Sequence, residues 1–122
     1  MPRFIIRIKV TNNGTEPIRT HVGASLVGVT NHIEYYNESE DIDWTFHPGE
    51  NIFQRYLTTD LGPIQKYDLF VALWKLAQPI GKGTRYAITK VPNAVEKKKK
   101  EAVVNLAVAV MDYFPRSFSP DQ

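Results

Sequence analysis

The chain is 122 residues long, with 43% apolar and 23% charged residues, seven glycines, eight prolines and no cysteine. That length fits one domain able to bury about two-thirds of its unfolded surface, and the apolar content is too high for a disordered chain. The formal charge is +2, from 15 Lys and Arg against 13 Asp and Glu, and the lack of cysteine excludes disulfides, thiolate catalysis and cysteine-ligated metal centres.

Four of the cations are consecutive, Lys97, Lys98, Lys99 and Lys100; without them the count is 11 against 13, or −2. The positive charge is therefore one local run on a slightly acidic body. Nucleic-acid binders spread Lys and Arg along a face and interleave aromatics, and this run holds none, so a nucleic-acid partner is not expected. No apolar run approaches the ~20 residues of a membrane-spanning helix. The first ten residues, MPRFIIRIKV, alternate charged and apolar side chains where a signal peptide needs a continuous apolar stretch. The default location is cytoplasmic unless the chain is a fragment of a secreted protein.

The dominant period is two. Phe4, Ile6, Ile8 and Val10 alternate with Ile5, Arg7 and Lys9, which predicts a strand with one buried face. The turn-rich run from Thr11 to Pro17 follows, then Ile18, Val22, Ala24 and Leu26 as a second strand, with Gly23 and Gly28 as points of bulge or close approach. These two strands are expected to form a hairpin. Ile33 and Tyr35 mark a short strand before the acidic patch Glu38, Glu40, Asp41 and Asp43. Trp44 and Phe46 alternate around Thr45, and His47-Pro48-Gly49-Glu50 reads as a turn into a half-buried strand, Ile52 to Thr58. Asn13-Gly14-Thr15 and Asn37-Glu38-Ser39 match the glycosylation pattern but read as turn residues.

Tyr67 to Leu76 is apolar on both faces, as in a central strand, with Trp74 expected in the core. Arg85 to Val91 alternates again. From Ala94 to Phe114 two readings compete. Asn93 and Glu96 have the spacing of a helix cap, whereas Val103, Val104, Val108 and Val110 favour extended backbone. A strand from about Glu101 to Tyr113 is expected, with Pro92 to Lys100 as an exposed hairpin loop and a helix as the alternative.

Seven or eight short strands with turn signals between them predict an all-β sandwich. Val10-Thr11-Asn12-Asn13-Gly14, the small-residue strand Val22-Gly23-Ala24-Ser25-Leu26, Pro48-Gly49-Glu50 and Tyr67-Asp68-Leu69 follow one another in this order. Over residues 3 to 110 this pattern resembles the immunoglobulin-like modules called CARDB or APHP domains, from which the chain departs in its tetralysine run and its long last strand. The resemblance implies a single immunoglobulin-like β-sandwich of mostly antiparallel strands, expected over residues 1–114; the proline-containing, polar residues 115–122 are expected to form a flexible tail. It also implies binding or spacing rather than chemistry.

The residues agree with a passive role. Ser25, Ser39, Ser117 and Ser119 lack a nucleophile-elbow context, His21, His32 and His47 lack metal-site spacing, and Gly81-Lys82-Gly83 is no phosphate loop. The acidic patch has no glycine where a calcium loop needs one. No catalytic, cofactor or metal site is expected. The candidate surface for a ligand or partner comprises Tyr35, Tyr36, Trp44 and Tyr56, the carboxylates Glu38, Glu40 and Asp41, and the lysines 97–100. The expected function is a non-enzymatic module for protein–protein interaction or self-association, the acidic patch of one copy complementing the lysines of another. The alternative is a carbohydrate-binding module that stacks sugars on the exposed aromatics.

Overall fold

Alternation of apolar and polar side chains gives strands wherever the pleat can send the apolar set to one side. The computed structural model describes residues 1–77, 82–99, 101–104 and 108–113; the expected flexible tail at 115–122 lies outside them. Among the described residues are nine strands: β1 (Arg3–Asn12), β2 (Ile18–Gly28), β3 (Glu34–Tyr36), β4 (Ile42–Phe46), β5 (Gly49–Thr58), β6 (Gln65–Ala77), β7 (Lys82–Lys98), β8 (Glu101–Val104) and β9 (Val108–Tyr113). A single 3₁₀ turn, Glu38–Glu40, sits between β3 and β4.

The strands form two sheets. Sheet A has the order β5-β1-β9, and sheet B the order β3-β2-β6-β7-β8 with β4 on the same edge of β2 as β3. Every pairing is antiparallel except β1 with β9. The chain is all-β, as the alternation predicts. Phe4, Ile6, Ile8, Val10, Phe53 and Leu57 of sheet A share one buried cluster with Val22, Leu26, Phe46, Tyr67, Leu69, Val71 and Leu73 of sheet B. Between the sheets the packing leaves a gap of only about 10 Å³, bounded by Phe4, Ile6 and Leu57 on one side and Leu26, Leu69, Ala94 and Val95 on the other. The two sheets therefore face each other across one dry layer.

Three local expectations need correction. β1 and β2 do not form a hairpin: each lies in a different sheet, and the largely exposed turn between them carries the chain from one sheet to the other. Asn12 makes that crossing. Its amide donates to the carbonyls of Glu16 and Phe46, both at 2.9 Å, while its Oδ1 accepts from the Gly14 N–H. The segment from Pro92 onward is not an exposed loop, because β7 continues to Lys98 with Ala94 and Val95 buried. Proline fits there because the register slips, with extra residues at 92–94 standing opposite Asp68. Asn93 adopts φ 52° and donates its N–H to Asp68 at 2.8 Å. The chain then reverses between Lys98 and Glu101, which are paired. The single strand expected from Glu101 to Tyr113 is two strands, β8 closing sheet B and β9 joining sheet A.

The turn from β4 to β5 also changes sheets. Gly49 has φ +98°, a backbone that favours glycine. Asn51 braces the turn, its Nδ2 donating to the carbonyls of His47 and Gly49 and its Oδ1 accepting from His47 N–H.

Candidate functional site

Within β5 the alternation that buries Phe53 and Leu57 also turns Arg55 inward, and its side chain is fully buried. Such a charge needs partners. Its guanidinium donates to the Tyr56 carbonyl at 2.6 Å and more weakly to the carbonyls of Val22 and Asn37, both at 3.4 Å. Asp41 supplies the countercharge, its Oδ1 2.5 Å from the guanidinium. The connector that carries Asp41 is clamped to β5 by two further groups. Glu40 accepts from the N–H and hydroxyl of Thr58, and Asn37 Nδ2 donates to the Thr58 carbonyl. Asn37 also caps the 3₁₀ turn by accepting from Ser39 N–H, so its place in the glycosylation pattern is a turn role.

Beyond Asp41 the polar chain reaches the outer face of sheet B. His21 Nε2 lies 3.4 Å from Asp41 Oδ2, and Nδ1 lies 2.7 Å from Asp43 Oδ1. Only the Nδ1 contact is a hydrogen bond; Asp41 lies beside Nε2 as a charged neighbour. The imidazole also packs against the Trp74 indole, ring centres 5.1 Å apart.

That tryptophan forms one wall of an open groove of about 560 Å³. The register explains the hollow. Gly23 of β2 pairs with Ala72 of β6, which pairs with Ile88 of β7, and Ser25 sits in the next outward row between Tyr36 of β3 and Phe70 of β6. Small side chains at Gly23, Ser25 and Ala72 make a low floor, and Tyr36, Phe70, Trp74 and Ile88 stand around it. A Cβ at Gly23 would lie 2.5 Å from the Trp74 ring, so any larger residue there would displace the indole. Glu34, Glu38 and Asp41 supply carboxylates at the margin. Asp41 is matched by Arg55, whereas Glu34 and Glu38 have no ion pair among the described residues.

The sequence-derived surface is divided by the fold. Tyr36 is 56% exposed and lines the groove together with Glu38 and Asp41. Tyr35, its neighbour, points the other way: it packs edge-on against Tyr67 and accepts a hydrogen bond from Asn31. Trp44 is not a core residue. It is partly exposed, stacks on Phe53 with ring centres 4.6 Å apart, and borders a separate, shallower hollow with Arg19, His47 and Ile52. Tyr56 lies on the outer face of sheet A beneath the Arg3 guanidinium, 3.7 Å from the ring centre. Glu40 is engaged with Thr58 as described. Lys97 donates to the carbonyls of Leu61 and Gly62, Lys98 lies 3.8 Å from Glu96, and Lys99 is exposed with φ 55°; Lys100 lies outside the described residues.

The sequence-derived surface leaves out the whole floor, Gly23, Ser25 and Ala72, and among the groove's other residues Glu34, Phe70, Ile88 and Trp74, the last expected in the core and found half-buried on the outer face. Two signals were present: Phe70, Ala72 and Trp74 share the parity opposite to Leu69, Val71 and Leu73, and β2 has small residues facing them. Among the described residues no group of three His, Asp or Glu side chains gathers to hold a metal ion, and no helix is long and apolar enough to cross a membrane. Comparison with protein-family models, with curated proteins and with solved structures finds no match to this chain.

Proposed function

We propose that this chain is a non-enzymatic binding module whose ligand face is the outer face of sheet B, and that its ligand is a segment of polypeptide. The observation that carries the reading is the groove itself: a floor of Gly23, Ser25 and Ala72 walled by Tyr36, Phe70 and Trp74. Aromatic walls supply large contact area with few rotatable bonds, which is how interaction surfaces bind without losing much entropy. Two facing sheets, with β9 running parallel to β1 at the edge of one of them, support the immunoglobulin-like kinship read from the sequence.

A carbohydrate ligand is the second reading, favoured by the flat faces of Tyr36 and Trp74 beside the carboxylates Glu34 and Glu38. One experiment separates the two. Trp44→Phe leaves Trp74 as the sole tryptophan, and its fluorescence is titrated with basic, neutral and acidic peptides and with a panel of oligosaccharides. A saturable change with peptides, weakened at least tenfold by Phe70→Ala, is expected. A response to sugars alone establishes the second reading, and no response to either overturns the groove as a binding site.

A further inference from the structure

The groove and the lysine run carry opposite charge, and they lie at different ends of the same sheet. At the groove, Glu34 and Glu38 have no ion pair among the described residues, and the neighbouring Lys90, 5.9 Å from the Phe70 ring centre, lies 3.6 Å from Asp68. At the β7–β8 reversal, Lys98 is 66% exposed with only a 3.8 Å contact to Glu96, and Lys99 is exposed on a positive-φ turn. Lys97 is different: its ammonium is bound by two carbonyls and holds the base of the hairpin against the Leu61–Gly62 loop.

Resting on the groove as a binding site, we propose that its occupant is the Lys98–Lys99 hairpin tip of a second copy of this chain. The chemistry matches at each part of a lysine side chain. The aliphatic stem lies along apolar wall, the ammonium sits over an aromatic face, and the carboxylates at the margin take up its charge. Tyr36 and Trp74 offer the faces, Phe70, whose ring already has Lys90 over it, lends apolar wall, and Glu34 and Glu38 supply the countercharge.

Geometry makes the contact intermolecular. Lys97 pairs with Gln65, and Phe70 and Trp74 lie five and nine residues further along β6, about 17 and 30 Å at strand rise. The tip extends away from that point, so it cannot fold back into its own groove. One copy gives its tip and receives at its groove, which is a head-to-tail contact. Such contacts close into a reciprocal dimer or a larger ring, or grow as a filament. Charge steers the encounter, so added salt weakens it.

The test is sedimentation of the full chain over a range of concentrations at low and high salt. The expected result is a mass that rises with concentration to the dimer or beyond at low salt and falls toward the monomer at high salt. Lys98→Glu with Lys99→Glu, and separately Glu34→Lys with Glu38→Lys, should each weaken association at least tenfold. An equimolar mixture of the two inverted variants should recover it, because each tip then meets a groove of opposite charge. Circular dichroism verifies that both variants fold. A wild-type chain that stays monomeric at low salt, or assembly untouched by both inversions, or a mixture that does not recover, overturns the proposal. Titrating the single-tryptophan Trp44→Phe chain with a peptide of residues 94–104 keeps the two readings apart. Peptide binding by a chain that stays monomeric sinks the self-docking and leaves the groove standing, whereas absence of both sinks both.

Discussion

The outward faces of the two sheets are built on the same pleat and end up opposite in shape. On sheet A long side chains follow one another: Arg3, Ile5, Arg7 and Lys9 on β1 face Ile52, Gln54 and Tyr56 on β5. They cover the surface by lying on each other, with Lys9 2.9 Å from Glu50 and Arg3 over Tyr56. On sheet B the corresponding rows hold Gly23, Ser25 and Ala72, and the aromatics beside them stand over empty space. Burial dictates the inner faces of both sheets but says nothing of the outer ones. Side-chain length then decides whether an outer face is a filled ladder or a groove, and only the groove offers a partner something to enter.

Each inner face carries one large polar exception, and the larger of the two gives the severest test of how the faces are coupled. Arg55 on sheet A holds Asp41, which in turn fixes the groove margin and His21. Asp41→Ala leaves a buried guanidinium without its countercharge and should cost about 3–5 kcal/mol, read as a fall in the urea midpoint. Arg55→Ala should cost a similar amount, because it strands Asp41 and the Tyr56 carbonyl. A loss under about 1 kcal/mol for both would mean that the inner exception behaves as a surface pair and does not tie the sheets together.

The contrast between inside and outside can be sharpened on one strand pair. Ile8 is fully buried and Ile52 is 62% exposed, two residues of one type on opposite faces of sheet A. Ile8→Ala should destabilise by about 2–5 kcal/mol through lost burial and the cavity it leaves. Ile52→Ser should stay within about 0.5 kcal/mol. Equal effects in denaturant titrations would break the assignment of faces on which the rest is built.

That assignment was legible in the sequence, because Phe4, Ile6, Ile8 and Val10 leave only one face for a core. What was not legible was which strand meets which. A turn such as Thr11 to Pro17 looks alike whether it closes a hairpin or crosses between sheets; the difference lies in Asn12 reaching the Phe46 carbonyl, 34 residues away. The same holds for the surface. Tyr35 and Tyr36 are adjacent, so the pleat must send them to opposite faces, and a cluster in sequence is divided by the fold. Phe70 and Trp74 were hidden by the opposite fault. A strand apolar on both sides reads as wholly buried, and only the small residues across from it in β2 reveal that one side is open. Arg55 was in plain view by parity, but an arginine between Phe53 and Leu57 becomes credible inside only once Asp41 is seen to arrive beside it.

The smallest effect concerns the exception on the other inner face. Tyr67 of sheet B is fully buried among the core side chains and donates its hydroxyl to the Pro63 carbonyl at 2.7 Å. Burial, reinforced by Tyr35, raises its pKa above the usual tyrosine value, outweighing the hydrogen bonds that act the other way. The neutral phenol is thus the form the fold prefers, and the unfolded chain loses this proton at lower pH than the folded one. The stabilisation is fully present below the unfolded tyrosine pKa near 10 and disappears as pH rises through the folded value. Near neutral pH, Tyr67→Phe should cost about 1 kcal/mol, the size of one hydrogen bond. Above pH 10 the gap between wild type and variant should narrow, because only the wild type has a buried phenol to lose. Urea midpoints of both proteins from pH 7 to 11 check this, and parallel curves would show that Tyr67 titrates alike in the folded and unfolded chains. Sheet A's exception would then be the only one whose charge state matters to the fold, and the two inner faces would differ as much as the outer ones.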